Sequence, residues 1–327
     1  MKTVSQFTVG ENVKTYLMIK QIIRKNKKNG ENYFRFELQD KSGSINGNIW
    51  SINEEMEALE KNTIVFVDAL VEEFMGVKQL NIRSIEKSDG SLIENFVELA
   101  PVPVAKLKEE IEIAIGEINN SKIQRITRTL YEEYQSDFLV FPAAVRNHHE
   151  FMHGLAYHTH TMIRLAYGLK RVYPNINLDL LVGGIILHDA GKVIELSGPV
   201  GTEYTVKGKL IGHISIIFAE IARVARELGL ENEEETMLLQ HMILAHHGKN
   251  EYGSPVLPQI LEAELLHMID NIDARVIMIE KATNAADENS FSSRVFGLEN
   301  RAFYNYRLRA LGAEITDKND KEESNKK

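Results

Sequence analysis

The stretch Ile185-Ile186-Leu187-His188-Asp189-Ala190-Gly191-Lys192 sets an imidazole and a carboxylate side by side where an apolar run gives way to a helix-ending glycine. Four other patches carry matching side chains: His158 upstream, then His213, His246-His247 and Asp270 downstream. Each sits in or beside a segment that reads as helix by its apolar spacing. Leu107, Ile111 and Ile115 recur at that spacing, as do Ile214, Ile217, Phe218, Ile221 and Val224. From residue 105 onward the chain therefore reads as almost wholly helical, with Pro142, Pro174, Pro199, Pro255 and Pro258 between the segments.

The chemistry of the five patches is nitrogen and oxygen ligation of divalent cations. Imidazole is neutral near pH 7 and offers a nitrogen lone pair, and the carboxylate of Asp189 has two oxygens with which to bridge two ions. Consecutive residues on a helix point about 100° apart, so His188 and Asp189 can serve a site lying between two divergent directions. Two divalent cations carry more charge than Asp189 and Asp270 cancel, and the surplus favours an anionic substrate such as phosphate. Manganese, iron, cobalt, nickel and zinc all accept such a donor set. Each histidine alone has a plainer reading as a surface or hydrogen-bonded side chain; it is the ordered recurrence that points to metal.

Other side chains are weaker candidates. Lys192 follows Asp189 by three residues and His188 by four, so it can reach a phosphate oxygen or the developing charge of a leaving group. A solvated lysine is the equal alternative. His148 and His149 can bind phosphate or protonate a leaving oxygen, and His149 is taken as the catalytic one. His241 and His267 read as structural.

Ahead of the helices, residues 1–88 read as strands: 13–19, 33–38, 44–50, 63–67 and 79–83. Turns are signalled at Asn29-Gly30 and Asp40-Lys41-Ser42-Gly43, and a short helical stretch spans 54–59. Five strands with a helix between the third and fourth is the order of an OB barrel. The expected architecture is thus a multidomain α and β chain: a small barrel over 1–88, a linker over 89–104, and a helical region over 105–316. Residues 317–327, nearly all polar or charged, read as a disordered tail.

The whole chain has 327 residues and a net charge of −9, yet residues 1–88 balance 13 basic against 12 acidic side chains. Affinity for nucleic acid follows local fields, and Arg24, Lys25, Lys27 and Lys28 form a basic run. With Arg35 and the aromatics Tyr33, Phe34 and Trp50 they are the candidate nucleic-acid contacts. Strand neighbours face opposite ways, so only one of Tyr33 and Phe34 can be outward. Cysteine is absent, which excludes disulfides and zinc–thiolate sites. No apolar run approaches a membrane span and no signal-peptide core is present, so a cytoplasmic protein is expected.

The run Gly154-Leu155-Ala156-Tyr157-His158-Thr159, then His188-Asp189-x-Gly191-Lys192, His246-His247-Gly248 and Asp270 resembles the HD superfamily of metal-dependent phosphohydrolases over about residues 140–285. The resemblance implies an all-α domain with His158, His188, Asp189 and Asp270 around one metal. It also implies His213 and His246 as added ligands of a second, with His247 able to contribute. The barrel's Leu38-Gln39-Asp40-Lys41-Ser42-Gly43-Ser44-Ile45 is similar to a run in nucleic-acid-binding OB domains. Together with Phe141-Pro142-Ala143-Ala144-x-x-x-His148-His149, the combination resembles the YhaM family of bacterial 3′→5′ exoribonucleases. That likeness implies manganese or a similar cation, two per chain, and single-stranded RNA cut to nucleoside 5′-monophosphates, with single-stranded DNA a further substrate. Two competitors stand beside it: an HD-type phosphohydrolase of a small nucleotide, and a DNA- or RNA-binding replication or regulatory factor with a structural metal site. Homo-oligomerisation is left open, since apolar residues in the long helices can bury within one chain or against another.

Overall fold

The structure is a computed structural model that describes residues 2–27, 30–88, 92–145 and 149–306. Lys28, His148 and the tail at 317–327, all assigned above, lie outside the described residues. The chain divides into two compact units, one of residues 1–99 with 198–202, the other of the remainder.

In the first unit, β1 (Asn12–Asn26), β2 (Asn32–Asp40), β3 (Gly43–Ile49), β4 (Ile64–Phe74) and β5 (Val77–Lys87) close into a barrel in the order β1-β2-β3-β5-β4. All neighbours are antiparallel except β3 and β5, which run parallel. This is the OB arrangement expected from sequence. Helix α1 (Glu54–Glu57) falls between β3 and β4, and its N-terminus is capped by Asn53, whose side chain accepts from the Met56 amide. Three strands, β1, β4 and β5, are much longer than the runs read from the sequence. β1 runs on through the basic stretch because an irregularity between Ile19 and Gln21 lets one strand pair first with β4 and then with β2. β4 and β5 extend outward as a hairpin turning at Met75 and Gly76, both at positive φ.

In the second unit, α2 (Val104–Gly116), α3 (Ser121–Phe138), α4 (Gly154–Val172), α5 (Leu178–Leu187) and α6 (Lys192–Glu195) are followed by α7 (Val206–Glu227), α8 (Glu234–Ala245) and α9 (Leu261–Asn284). A two-stranded ribbon of β6 (Ser290–Phe291) and β7 (Tyr304–Asn305) comes last. The apolar helix α5 is the hub and packs against α3, α4, α8 and α9. Leu180 to Leu187 are all buried along it, and each large aliphatic side chain contributes about 1.5–3 kcal/mol by leaving water. Gly184 faces α8, where a Cβ would stand 2.4 Å from Cε of the flexible Met242 side chain. The hub thus delivers its C-terminal end, carrying His188 and Asp189, to the middle of the bundle.

Candidate metal centre

Two imidazoles are aimed by helix ends. The last carbonyls of a helix have no partner within it, and His188 and His246 use them: His188 Nδ1 lies 2.7 Å from the Ile185 carbonyl and His246 Nδ1 2.6 Å from that of Ile243. A carbonyl only accepts, so Nδ1 carries the proton and each neutral ring keeps its lone pair on Nε2. His247 repeats the pattern on the Tyr252 carbonyl at 2.8 Å. His213 follows a kink in α7 at Gly212 (φ 76, ψ 151), and its Nδ1 faces Glu195 Oε1 at 3.2 Å.

The Nε2 atoms of His188, His213 and His246 are buried without a hydrogen-bond partner. An orphaned buried polar atom costs about 1–3 kcal/mol, so three pointing into one small volume mark a place built for a cation. Two clusters form there, each with ligand atoms mutually within 4.8 Å: His158, His188 and Asp270, and His213, His246 and His247. Asp189 stands between them. Its Oδ2 is 3.4 Å from His188 Nε2 and 3.8 Å from His158 Nε2, while Oδ1 is 3.5 Å from His213 Nε2. The donor set is wholly nitrogen and oxygen, which suits a divalent transition metal.

Electrostatics keep Asp189, His246 and His247 in ligating form. Burial would raise the Asp189 carboxyl, but Lys192, with Nζ 2.6 Å from Oδ2, and then His188 hold it well below the usual range. Burial pushes His246 and His247 down, so both rings are neutral near pH 7. His158 differs. Burial works against its charge, but Asp270 Oδ1 at 3.3 Å and Asp273 Oδ2 at 2.7 Å outweigh it and push the ring up to about 10. In the metal-free protein this imidazolium must lose a proton before its Nε2 can ligate. The metal-free form therefore binds more protons, and Mn2+ affinity should rise about tenfold per pH unit between about pH 6 and pH 9. Calorimetric titration at three pH values checks this; a flat affinity would contradict it.

Two carboxylates behind the centre were not singled out from sequence. Asp273 accepts from His158 and, at 2.6 Å, faces His149 Nε2. Its signal was its place three residues after Asp270, on nearly the same side of α9. Glu195 holds His213 through both ring and main-chain amide; nothing in its own neighbourhood of sequence marks it. His149, expected beside a phosphate, is buried behind His158 with its Nε2 on Asp273. An Asp273→Asn change should cost between about ten- and a hundredfold in metal affinity, read by competition with a fluorescent chelator. His160 pairs with Glu110, His241 accepts from the Gln259 amide, and His267 faces the His246 carbonyl.

A cleft of about 360 Å³ opens onto the centre, lined by Asp189, Lys192, His247, Asp270, Asn271 and Arg275 among others. That is the lower range of small-molecule sites, enough for one nucleotide.

On the barrel, Tyr33 faces outward and stacks on Trp50, with ring centroids 4.7 Å apart and planes at 29°. Trp50 is 45% exposed. Phe34, included above among the nucleic-acid contacts, is instead in the barrel core at 7% exposure, because the pleat that turns Tyr33 out turns Phe34 in. Arg35 shares the outward face of β2 with Tyr33, and Lys25 lies opposite Tyr33 on β1. Arg24 pairs with Glu57 and Lys27 with Glu31.

A helical bundle whose hub ends in His-Asp among converging imidazoles defines an HD domain, and a family model described as HD domain matches residues 155–275. Such a domain binds divalent metal. The 3'-5' exoribonuclease YhaM of Listeria welshimeri is 45% identical over 308 residues, covering 93% of this chain and 98% of its own length. That of Bacillus subtilis is 45% identical over 300 residues, covering 90% and 95%. The chain belongs to the YhaM family of 3'-5' exoribonucleases. Among solved structures, the second OB-fold domain of replication protein A from Methanococcus maripaludis matches 28% of this chain and 97% of its own, at 20% identity and a TM-score of 0.23; the barrel is assigned from its strand order instead.

Proposed function

We propose that this protein is a metal-dependent 3′→5′ exoribonuclease that hydrolyses single-stranded RNA at a two-cation centre and releases nucleoside 5′-monophosphates. The observation that carries the reading is Asp189, whose two oxygens face two separate imidazole clusters. Divalent cations held there supply Lewis acidity and lower the pKa of water to that of a usable nucleophile. His158, His188 and Asp270 would hold one, His213, His246 and His247 the other, and Asp189 both. Lys192 keeps its charge: burial opposes it, but Asp189 raises the ammonium. It lines the cleft, where it can meet a phosphate oxygen as negative charge builds. Attack from the 3′ end follows from membership of the YhaM family of 3'-5' exoribonucleases. Manganese as the cation, single-stranded DNA as a second substrate and the cytoplasm as the compartment belong to the same proposal. No helix among the described residues is long and apolar enough to cross a membrane.

The test uses 5′-labelled RNA and DNA oligomers with purified full-length protein and Mn2+. Shortening from the 3′ end with nucleoside 5′-monophosphate as product is expected, and uncut RNA would reject the proposal. A stacked outward aromatic pair on the β2–β3 face suits base binding, and each stack is worth about 1–3 kcal/mol. Trp50→Ala should therefore weaken RNA binding at least about fivefold, measured by fluorescence anisotropy. Hydrolysis of a free nucleotide would be left near the wild-type rate, so an unchanged RNA affinity would favour the small-nucleotide reading.

A further inference from the structure

One wall of the metal cleft is made by a guanidinium that takes no part in holding the cations. Arg275 projects from α9 into the cleft that also holds Asp270 and Lys192. It meets Glu299 as a two-pronged fork, Nη1 to Oε1 at 3.2 Å and Nη2 to Oε2 at 3.3 Å. Glu299 also lines the cleft. The Glu299 carboxyl is held below its ordinary range, chiefly by this bond to Arg275.

The planar fork that fits a carboxylate fits two oxygens of a phosphodiester equally well. Arg275 lies five residues past Asp270, or about 7.5 Å along the helix axis, on the scale of one nucleotide step in an extended strand. Glu299 has a second partner in Arg301, whose Nη2 is 2.7 Å from Oε2. It can therefore release Arg275 without losing all its pairing. Glu299 is 62% exposed on its side chain and Arg275 35%, and ion pairs so open to water exchange partners at little cost.

We propose that Arg275 grips the phosphodiester next to the one being cut, and that Glu299 occupies this grip until the strand displaces it. The inference rests on the exoribonuclease reading and adds to it a substrate clamp with a built-in competitor. The two partners of one ion pair then have opposite effects on substrate binding. A purely structural pair would not behave so, because breaking it from either side removes the same support.

Steady-state degradation of a labelled RNA oligomer, with KM and kcat separated, tests the clamp in the full chain. Arg275→Ala should raise KM about tenfold or more with the smaller change in kcat, and Arg275→Lys, which keeps the charge but not the fork, should fall between it and wild type. Glu299→Gln should lower KM, by about threefold. Across about 50 to 200 mM salt, the slope of log KM should drop by about 0.7 in Arg275→Ala, the loss of one phosphate contact on a single strand. A KM shifted in the same direction by Arg275→Ala and Glu299→Gln, or an unchanged salt slope, would overturn the clamp. If the wild-type protein fails to degrade RNA at all, the exoribonuclease reading itself falls, and the two failures are told apart.

Discussion

Asp189→Asn will reduce release of nucleotides from RNA by roughly 10³-fold or more, the rate equivalent of the several kcal/mol that metal assistance supplies. The amide keeps the shape of the side chain but offers one oxygen and no charge. Asp189 faces His188 and His158 with one oxygen and His213 with the other, so the substitution weakens both clusters at once. It also removes the charge that Lys192 Nζ meets at 2.6 Å, leaving a buried ammonium without its counter-ion. Metal analysis of the purified variant should find well under one equivalent per chain. Two equivalents, with activity within tenfold of wild type, would mean that Asp189 is not the bridge.

Gly191→Ala should lower activity by at least about a hundredfold, the cost of a misplacement near 1 Å at a reacting centre, while removing one cation and sparing the other. A Cβ at residue 191 would lie 2.4 Å from the His213 carbonyl oxygen and 3.1 Å from its Cα. These are main-chain atoms, so the overlap cannot be relieved by a rotamer change. The turn that carries Asp189 is buried with the end of α5, whereas Leu210 and Ile211 at the kinked start of α7 are exposed, so α7 is the side that yields. His213 then leaves its cluster, whereas His158 and Asp270 come from α4 and α9 and do not touch this contact. The expected metal content is near one per chain against two for wild type. Equal loss of both, or of neither, would show that Gly191 does not set the position of His213.

Much of this was readable in the chain. Strand order followed from turn signals and β-rich runs, and the metal patches from the same few residue types recurring in or beside helical segments. What escaped depends on where side chains meet rather than on what they are. Tyr33 and Phe34 are both aromatic and adjacent, so composition could not say which faced the core; the barrel register decided it. Asp273 looked like one more acidic residue on an exposed helix until α4 brought His158 beside it. Glu195 pairs with a histidine 18 residues away, on the far side of a turn whose shape no local pattern specifies. The hairpin of β4 and β5 ends in Phe74, Met75 and Val77, apolar yet exposed, so its length is set by backbone pairing rather than by burial.

The imidazoles of the centre are anchored in two different ways, and this bears on how the protein can change over generations. His188, His246 and His247 are oriented by carbonyl groups of the main chain, which every amino acid possesses. Substitutions around them leave that aim intact, so this half of the centre is buffered against drift. His158 and His213 are oriented by the side chains of Asp273 and Glu195, which a single codon change can shorten, neutralise or remove. Adaptation to another metal or a faster turnover would be expected to begin at those two acids.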